Sequence, residues 1–174
     1  MIVQEESRKE NLLSAGVTSQ FIDAIDRLEE LGEIQYQIQN PEGAYWYLPS
    51  IENEYEILRG FDITPICDGS NGDSFYVLLS KPDERKFVYF ELEADEIYND
   101  FGGSFQLLLA HLVIDLMDLS EVQSIEDITK FAESLGLLKA KEVINTVSAL
   151  DEDTDIEEWE VNVLPTIIGG TLNK

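Results

Sequence analysis

The chain has 174 residues, 44% of them hydrophobic, and its 36 acidic against 11 basic side chains give a formal charge of −25. That length supports one sizeable core, since a domain of about 150 residues buries roughly 68–70% of its unfolded surface, so residues 1–174 are expected to form a single domain. The charge excludes a direct grip on nucleic-acid phosphate or on an anionic membrane, and it favours cationic proteins as partners.

The acidic excess is even along the chain: residues 1–60, 61–120 and 121–174 each hold 12 acidic side chains, against four, three and four basic ones. An even spread argues for a folded body that is negative over much of its surface, and against an acidic tail on a neutral domain. Residues 1–10 lack the apolar run of a secretory signal. The longest apolar stretch, Phe105 to Leu119, contains His111, Asp115 and Asp118 and falls short of the roughly 20 residues that span a bilayer. Cys67 is the single cysteine and has no partner for an internal disulfide. A reducing cytoplasm is the expected compartment.

The first predicted element is an amphipathic helix over Thr18 to Leu31, with Phe21, Ile22, Ile25, Leu28 and Leu31 on one face, Thr18 as N-cap and Gly32 as the stop. Ile34, Tyr36 and Ile38 then alternate with glutamines, as in a half-buried strand. Asn40 to Gly43 reads as a hairpin turn and the aromatic run Ala44 to Leu48 as the returning strand. Pro49 to Gly60 suits a loop or a short helix equally.

Three strands are expected near 61–67, 74–80 and 86–92, joined by connections short enough for antiparallel neighbours. Ser104 to Leu119 is the next helix, with Phe105, Leu108, Leu109, Leu112 and Leu116 on its apolar face. Another runs from Ser124, capped through Asp127, to near Gly136, with Ile125, Ile128, Phe131 and Leu135 inward. Lys139 to Leu150 suggests a further helix, and Trp159 to Val163, after the acidic run 151–158, alternates like a strand. The order predicts an α+β domain whose mostly antiparallel sheet is covered by helices on one face. Its core should include Phe75, Val77, Leu79, Val88, Phe90, Leu108, Leu112 and Leu116.

An apolar strand ending in Ile66-Cys67, the turn Asp68 to Asp73, the strand opening Ser74-Phe75-Tyr76, the segment Phe87 to Phe90 and the helix start Gly103-Ser104-Phe105 occur here in order. This sequence of features resembles the SUKH superfamily, which contains yeast cell-wall assembly regulators and many bacterial immunity proteins. The resemblance covers about Tyr47 to Leu119 and is tightest at Gly72-Asp73 and Ser104-Phe105, and residues 120–174 add helices and an acidic segment. Family members often carry an earlier Leu-Pro followed by an aromatic-rich helix, and an Asn-Gly pair near the N-terminus. Here that segment is not recognisable, since Leu48-Pro49 comes late and Asn40 to Gly43 reads as a hairpin turn, which marks a divergent member. The resemblance implies an α+β fold and a non-enzymatic protein that neutralises a cognate toxin, often a nuclease, by covering its active site.

Other motifs fail on their chemistry. Asp151, Asp153 and Asp155 resemble a calcium loop, but Ile156 and Asn162 stand where Gly and a bidentate Glu are needed. The turn Gly69 to Gly72 lacks the Gly-Lys-Ser/Thr ending of a phosphate loop. Cys67 and His111 sit in apolar runs that suit packing better than catalysis. No catalytic residue, metal ligand or cofactor is therefore assigned. Gly72 and Asp73 are read as a structural turn, with the Asp73 carboxylate accepting from nearby backbone N–H groups.

The segment Glu91 to Asp100 carries five acids and no base. It reads either as a solvated loop anchored by Leu92 and Ile97, or as a patch of Glu91, Glu93, Asp95, Glu96 and Asp100 with Tyr98 as an anchor for a basic toxin. A regulatory scaffold of the cell-wall assembly type, and less so a carboxylate-dependent enzyme or a DNA mimic, stand as alternatives.

Overall fold

Side-chain alternation through residues 62–91 builds the centre of the structure, a computed structural model describing residues 1–27, 37–119 and 124–169. In chain order the elements are α1 (Glu5–Ser14), α2 (Ser19–Asp26), β1 (Ile38–Gln39), α3 (Glu42–Ile51), β2 (Asp62–Gly69), β3 (Ser74–Lys81), β4 (Glu84–Glu91) and β5 (Asn99–Asp100). They continue with α4 (Phe105–Leu119), α5 (Ile125–Ser134), α6 (Ala140–Val147), α7 (Ile156–Asn162) and α8 (Leu164–Ile168). The strands form one antiparallel meander in the order β1-β2-β3-β4-β5. This is the α+β class that the sequence predicts, and the three expected strands are β2, β3 and β4.

Both faces of the sheet are covered, which corrects the one-sided expectation. Phe75, Val77 and Leu79 of β3 pack with Val88 and Phe90 of β4 against Ala44 and Leu48 of α3 and against Leu58 and Phe61. Their alternates Tyr76, Leu78 and Phe87 meet α1, α2 and α4 on the other side. All eight predicted core residues are buried. Helix α4 lies inside this second layer, with α5, α6, α7 and α8 outside it. Its Leu107, Ala110, Val113 and Ile114 are therefore buried as well as the predicted face, as expected of a helix that is apolar nearly all round.

Residues 44–48 are not a returning strand but the middle of α3. Ala44 and Leu48 recur at four-residue spacing and are buried, whereas Trp46, which a strand would pair, is exposed. The helix has no side-chain cap of its own at Pro41. Its free N–H groups are met from β2 instead, where Asp68 accepts from Gly43 N at 2.6 Å and from Ala44 N at 3.0 Å. A Cβ on residue 43 would stand 2.7 Å from that carboxylate, so glycine lets the two elements approach. The cap lies 24 to 25 residues away in sequence, out of reach of any local pattern.

Trp159 to Val163 is likewise helix rather than strand, since α7 spans Ile156–Asn162. Asp155 caps it by accepting from Glu158 N at 3.0 Å, and Glu157 and Glu158 in the first turn suit the positive end of the helix dipole. The alternation of Trp159 and Val161 misleads because only Trp159 is buried, Val161 being 62% exposed.

Smaller corrections concern helix ends and faces. Thr18 caps α2 by accepting from Phe21 N, but the helix ends at Asp26, and Leu28, Leu31, Gly32, Ile34 and Tyr36 lie outside the described residues. Ser124 and Asp127 form the expected cap of α5, while Ile125 faces solvent at 47% exposure. The helix expected over 139–150 is limited to α6.

A bulge interrupts β2 between Pro65 and Cys67. The buried Arg8 side chain fits against it, donating Nε–H to Pro65 O at 2.9 Å and a terminal N–H to Ile66 O at 2.7 Å. Its other terminal nitrogen meets Asp26 Oδ1 at 2.9 Å. Among the described residues no helix is long and apolar enough to cross a membrane.

Candidate protein-binding surface

Three tyrosines cross the sheet toward its β5 edge. The Tyr76 and Tyr89 rings lie 4.7 Å apart and those of Tyr89 and Tyr98 6.1 Å. Tyr76 is buried and Tyr98, at the end of the row, is 48% exposed. Tyr98 N–H donates to Tyr89 O at 3.0 Å, which fixes the ring at the sheet's rim. Partial desolvation raises the Tyr98 phenol pKa, and the carboxylates of Glu91, Glu96 and Glu93 push it the same way.

The predicted patch divides by what its members touch. Asp95 accepts from Glu56 N at 2.8 Å and Ile57 N at 3.2 Å, which ties the loop to the segment before β2. Asp100 accepts from Gly102 N at 2.8 Å and stands 3.5 Å from Lys86 Nζ. Glu91 accepts from the Tyr89 hydroxyl at 2.9 Å. Leu92 and Ile97 are half-buried and anchor the segment on the α3 side of the sheet. Glu93 and Glu96 are exposed beside Tyr98, and these three side chains are the ones best placed to meet a partner.

A groove of about 130 Å³ opens next to Tyr98, lined by Asp100, Phe101, Leu107, Glu160 and Leu164 among others. Its apolar floor and carboxylate walls suit the stem and head of a lysine or arginine side chain. Glu160 comes from α7 and escapes sequence reasoning, because a strand over 159–163 would not have placed it on a helix face beside buried Trp159.

Behind the groove Phe101 packs on His111, with ring centroids 5.2 Å apart. His111 Nδ1 lies 2.7 Å from Glu160 Oε2, and Nε2 lies 3.5 Å from Asp115 Oδ2. Burial disfavours the charged imidazolium, yet the Glu160 hydrogen bond and charge, with Asp115 and Glu157, outweigh it and raise the His111 pKa. The sequence shows only the four-residue spacing of His111 and Asp115, since Glu160 is 49 residues further on.

The other motif residues are structural in their settings. Gly72 has φ +77°, which side chains disfavour. Asp73 does not make the expected contacts, as its Oδ1 is buried without a hydrogen-bond partner. The carboxylate of this turn that does accept from backbone N–H groups is Asp68. Its pKa is raised to about 6, because burial outweighs the opposing Ala44 and Gly43 N–H bonds, and Glu42 adds to the rise. Ser104 precedes α4, and Phe105 is buried between Phe21 at 5.2 Å and Phe87 at 6.1 Å, joining α2, α4 and β4. Cys67 is buried, and burial with the neighbouring Asp68 charge drives its thiol pKa up, away from the thiolate a nucleophile needs. No protein-family model matches this chain, and no curated protein or solved structure matches it significantly.

Proposed function

We propose that this protein is a non-enzymatic binding module that neutralises a cationic toxin domain by covering its active site. The observation that carries this reading is exposed Tyr98 on a groove lined by Phe101, Leu107, Asp100 and Glu160, in the same loop as the exposed Glu93 and Glu96. The resemblance of residues 47–119 to the SUKH superfamily supports the immunity role. So does the charge of −25, because a toxin that grips nucleic-acid phosphates presents lysine and arginine. Long-range attraction steers such a partner into contact, and Tyr98 and the groove then supply the desolvated anchor that charge alone does not.

The test pairs the protein with the toxin domain encoded beside it. Wild type should rescue growth on co-expression. Combined reversal of Glu93→Lys and Glu96→Lys should lower the association rate about tenfold or more at low salt, and Tyr98→Ala should chiefly raise the dissociation rate. Unchanged affinity in the triple variant would reduce the patch to a solvated loop. A hydrolytic activity abolished by a single carboxylate substitution would overturn the binding-module reading itself.

A further inference from the structure

His111 and Asp115 stand one turn apart on α4, and α7 lays Glu160 against the same imidazole. One donor atom from each of the three lies within 4.8 Å of the others. The charges acting on the ring are those of Glu160, Asp115 and Glu157, all carboxylates. An imidazole nitrogen joined by carboxylate oxygens is a donor set for divalent transition metals, whereas Mg²⁺ and Ca²⁺ favour oxygen alone.

The local geometry suits an ion beside Nε2. In the neutral imidazole, Nδ1–H donating to Glu160 fixes the tautomer and leaves the Nε2 lone pair on the side of Asp115. The 3.5 Å between Nε2 and Asp115 Oδ2 is close to the roughly 3.4 Å that separates two ligands each about 2.1 Å from a tetrahedral ion. Asp115 is 42% exposed, which opens this side to solvent, while the His111 and Glu160 side chains are 12% and 11% exposed.

We propose that His111 Nε2 and Asp115 bind a divalent transition-metal ion, Zn²⁺ in preference, while Glu160 holds the imidazole from its other nitrogen. Nε2 and Asp115 bind the ion directly. Glu160 stays on Nδ1 as the carboxylate that orients the ring, and water fills the remaining positions. Because Glu160 also walls the groove beside Tyr98, the ion would set the shape of that wall.

Calorimetric titration of the chelator-treated full chain with ZnCl₂ at about 0.15 M salt, where diffuse surface attraction is screened, tests this. The expected result is saturation at one Zn²⁺ per chain with a raised Tm, and a visible absorption band when Co²⁺ is used instead. His111→Gln and Asp115→Asn should each weaken binding by roughly tenfold or more and remove the Co²⁺ band. Asp115→Asn, on the more exposed side chain, decides the matter if His111→Gln does not fold by circular dichroism. No saturation at one ion, equal binding of Mg²⁺, or unchanged Zn²⁺ affinity in Asp115→Asn would each overturn the site.

Discussion

Asp68 belongs to β2 by its backbone and to α3 by its side chain, and its titration reports on that junction. The folded-state pKa of about 6 lies above the ordinary 3.8, so the folded protein holds this proton more tightly than the unfolded chain. The resulting stabilisation is complete below about pH 3.8 and is lost as pH rises through about 6. The stability of wild type relative to Asp68→Asn, measured by urea denaturation, should therefore fall as pH is raised across that window. A flat difference would show that the two amide donors keep the carboxylate ionised throughout. Arg8 makes a comparable long-range link, since its guanidinium serves two bulge carbonyls that the ladder leaves without partners. Arg8→Met should cost about 3 kcal/mol in urea denaturation. Arg8→Lys should recover only part of it, because an ammonium cannot reproduce the planar fork.

At the scale of elements, what was legible in the sequence followed from local periodicity. β3 and β4 show as short apolar, aromatic-rich runs bounded by turn residues, and α2 and α5 carry their own caps in Thr18 and Ser124. Helices α3 and α7 were misread as strands for two physical reasons. The α3 cap is supplied by Asp68 across the fold, and aromatic residues at 45–47 mimic strand composition. In α7, bulky residues at alternate positions happen to coincide with a helix of only two turns. The same error concealed Glu160, so the groove wall and the His111 cluster were illegible even though His111 and Asp115 were in view. The exposure of Glu93, Asp95, Glu96 and Asp100 follows from a segment with five acids and no base, which has few ways to be buried. Helix α4 carries the most demanding packing. Leu112→Ala should destabilise by roughly 2–5 kcal/mol in the same denaturation assay, and a loss below about 0.5 kcal/mol would mean that the core around it can close.

For the whole molecule, the binding role proposed above makes the charge of −25 the feature that would steer a cationic toxin domain to it. Association rates with the toxin domain, followed by stopped flow, should fall steeply as salt rises from about 0.05 to 0.5 M while dissociation rates change little, because screening acts on the approach. A salt-independent association rate would remove the steering role from the surface. The sheet adds a constraint of a different kind. Its two outermost strands, β1 and β5, are each only two residues long. Long flat edges invite another chain to add itself as a further strand; β5 covers β4 only at Val88 and Tyr89, and the stretch of β4 it leaves open begins with the charged Glu84, Arg85 and Lys86. Charged side chains on an open strand work against its pairing with copies of itself, so these three residues guard a sheet otherwise rich in Val, Leu, Phe and Tyr.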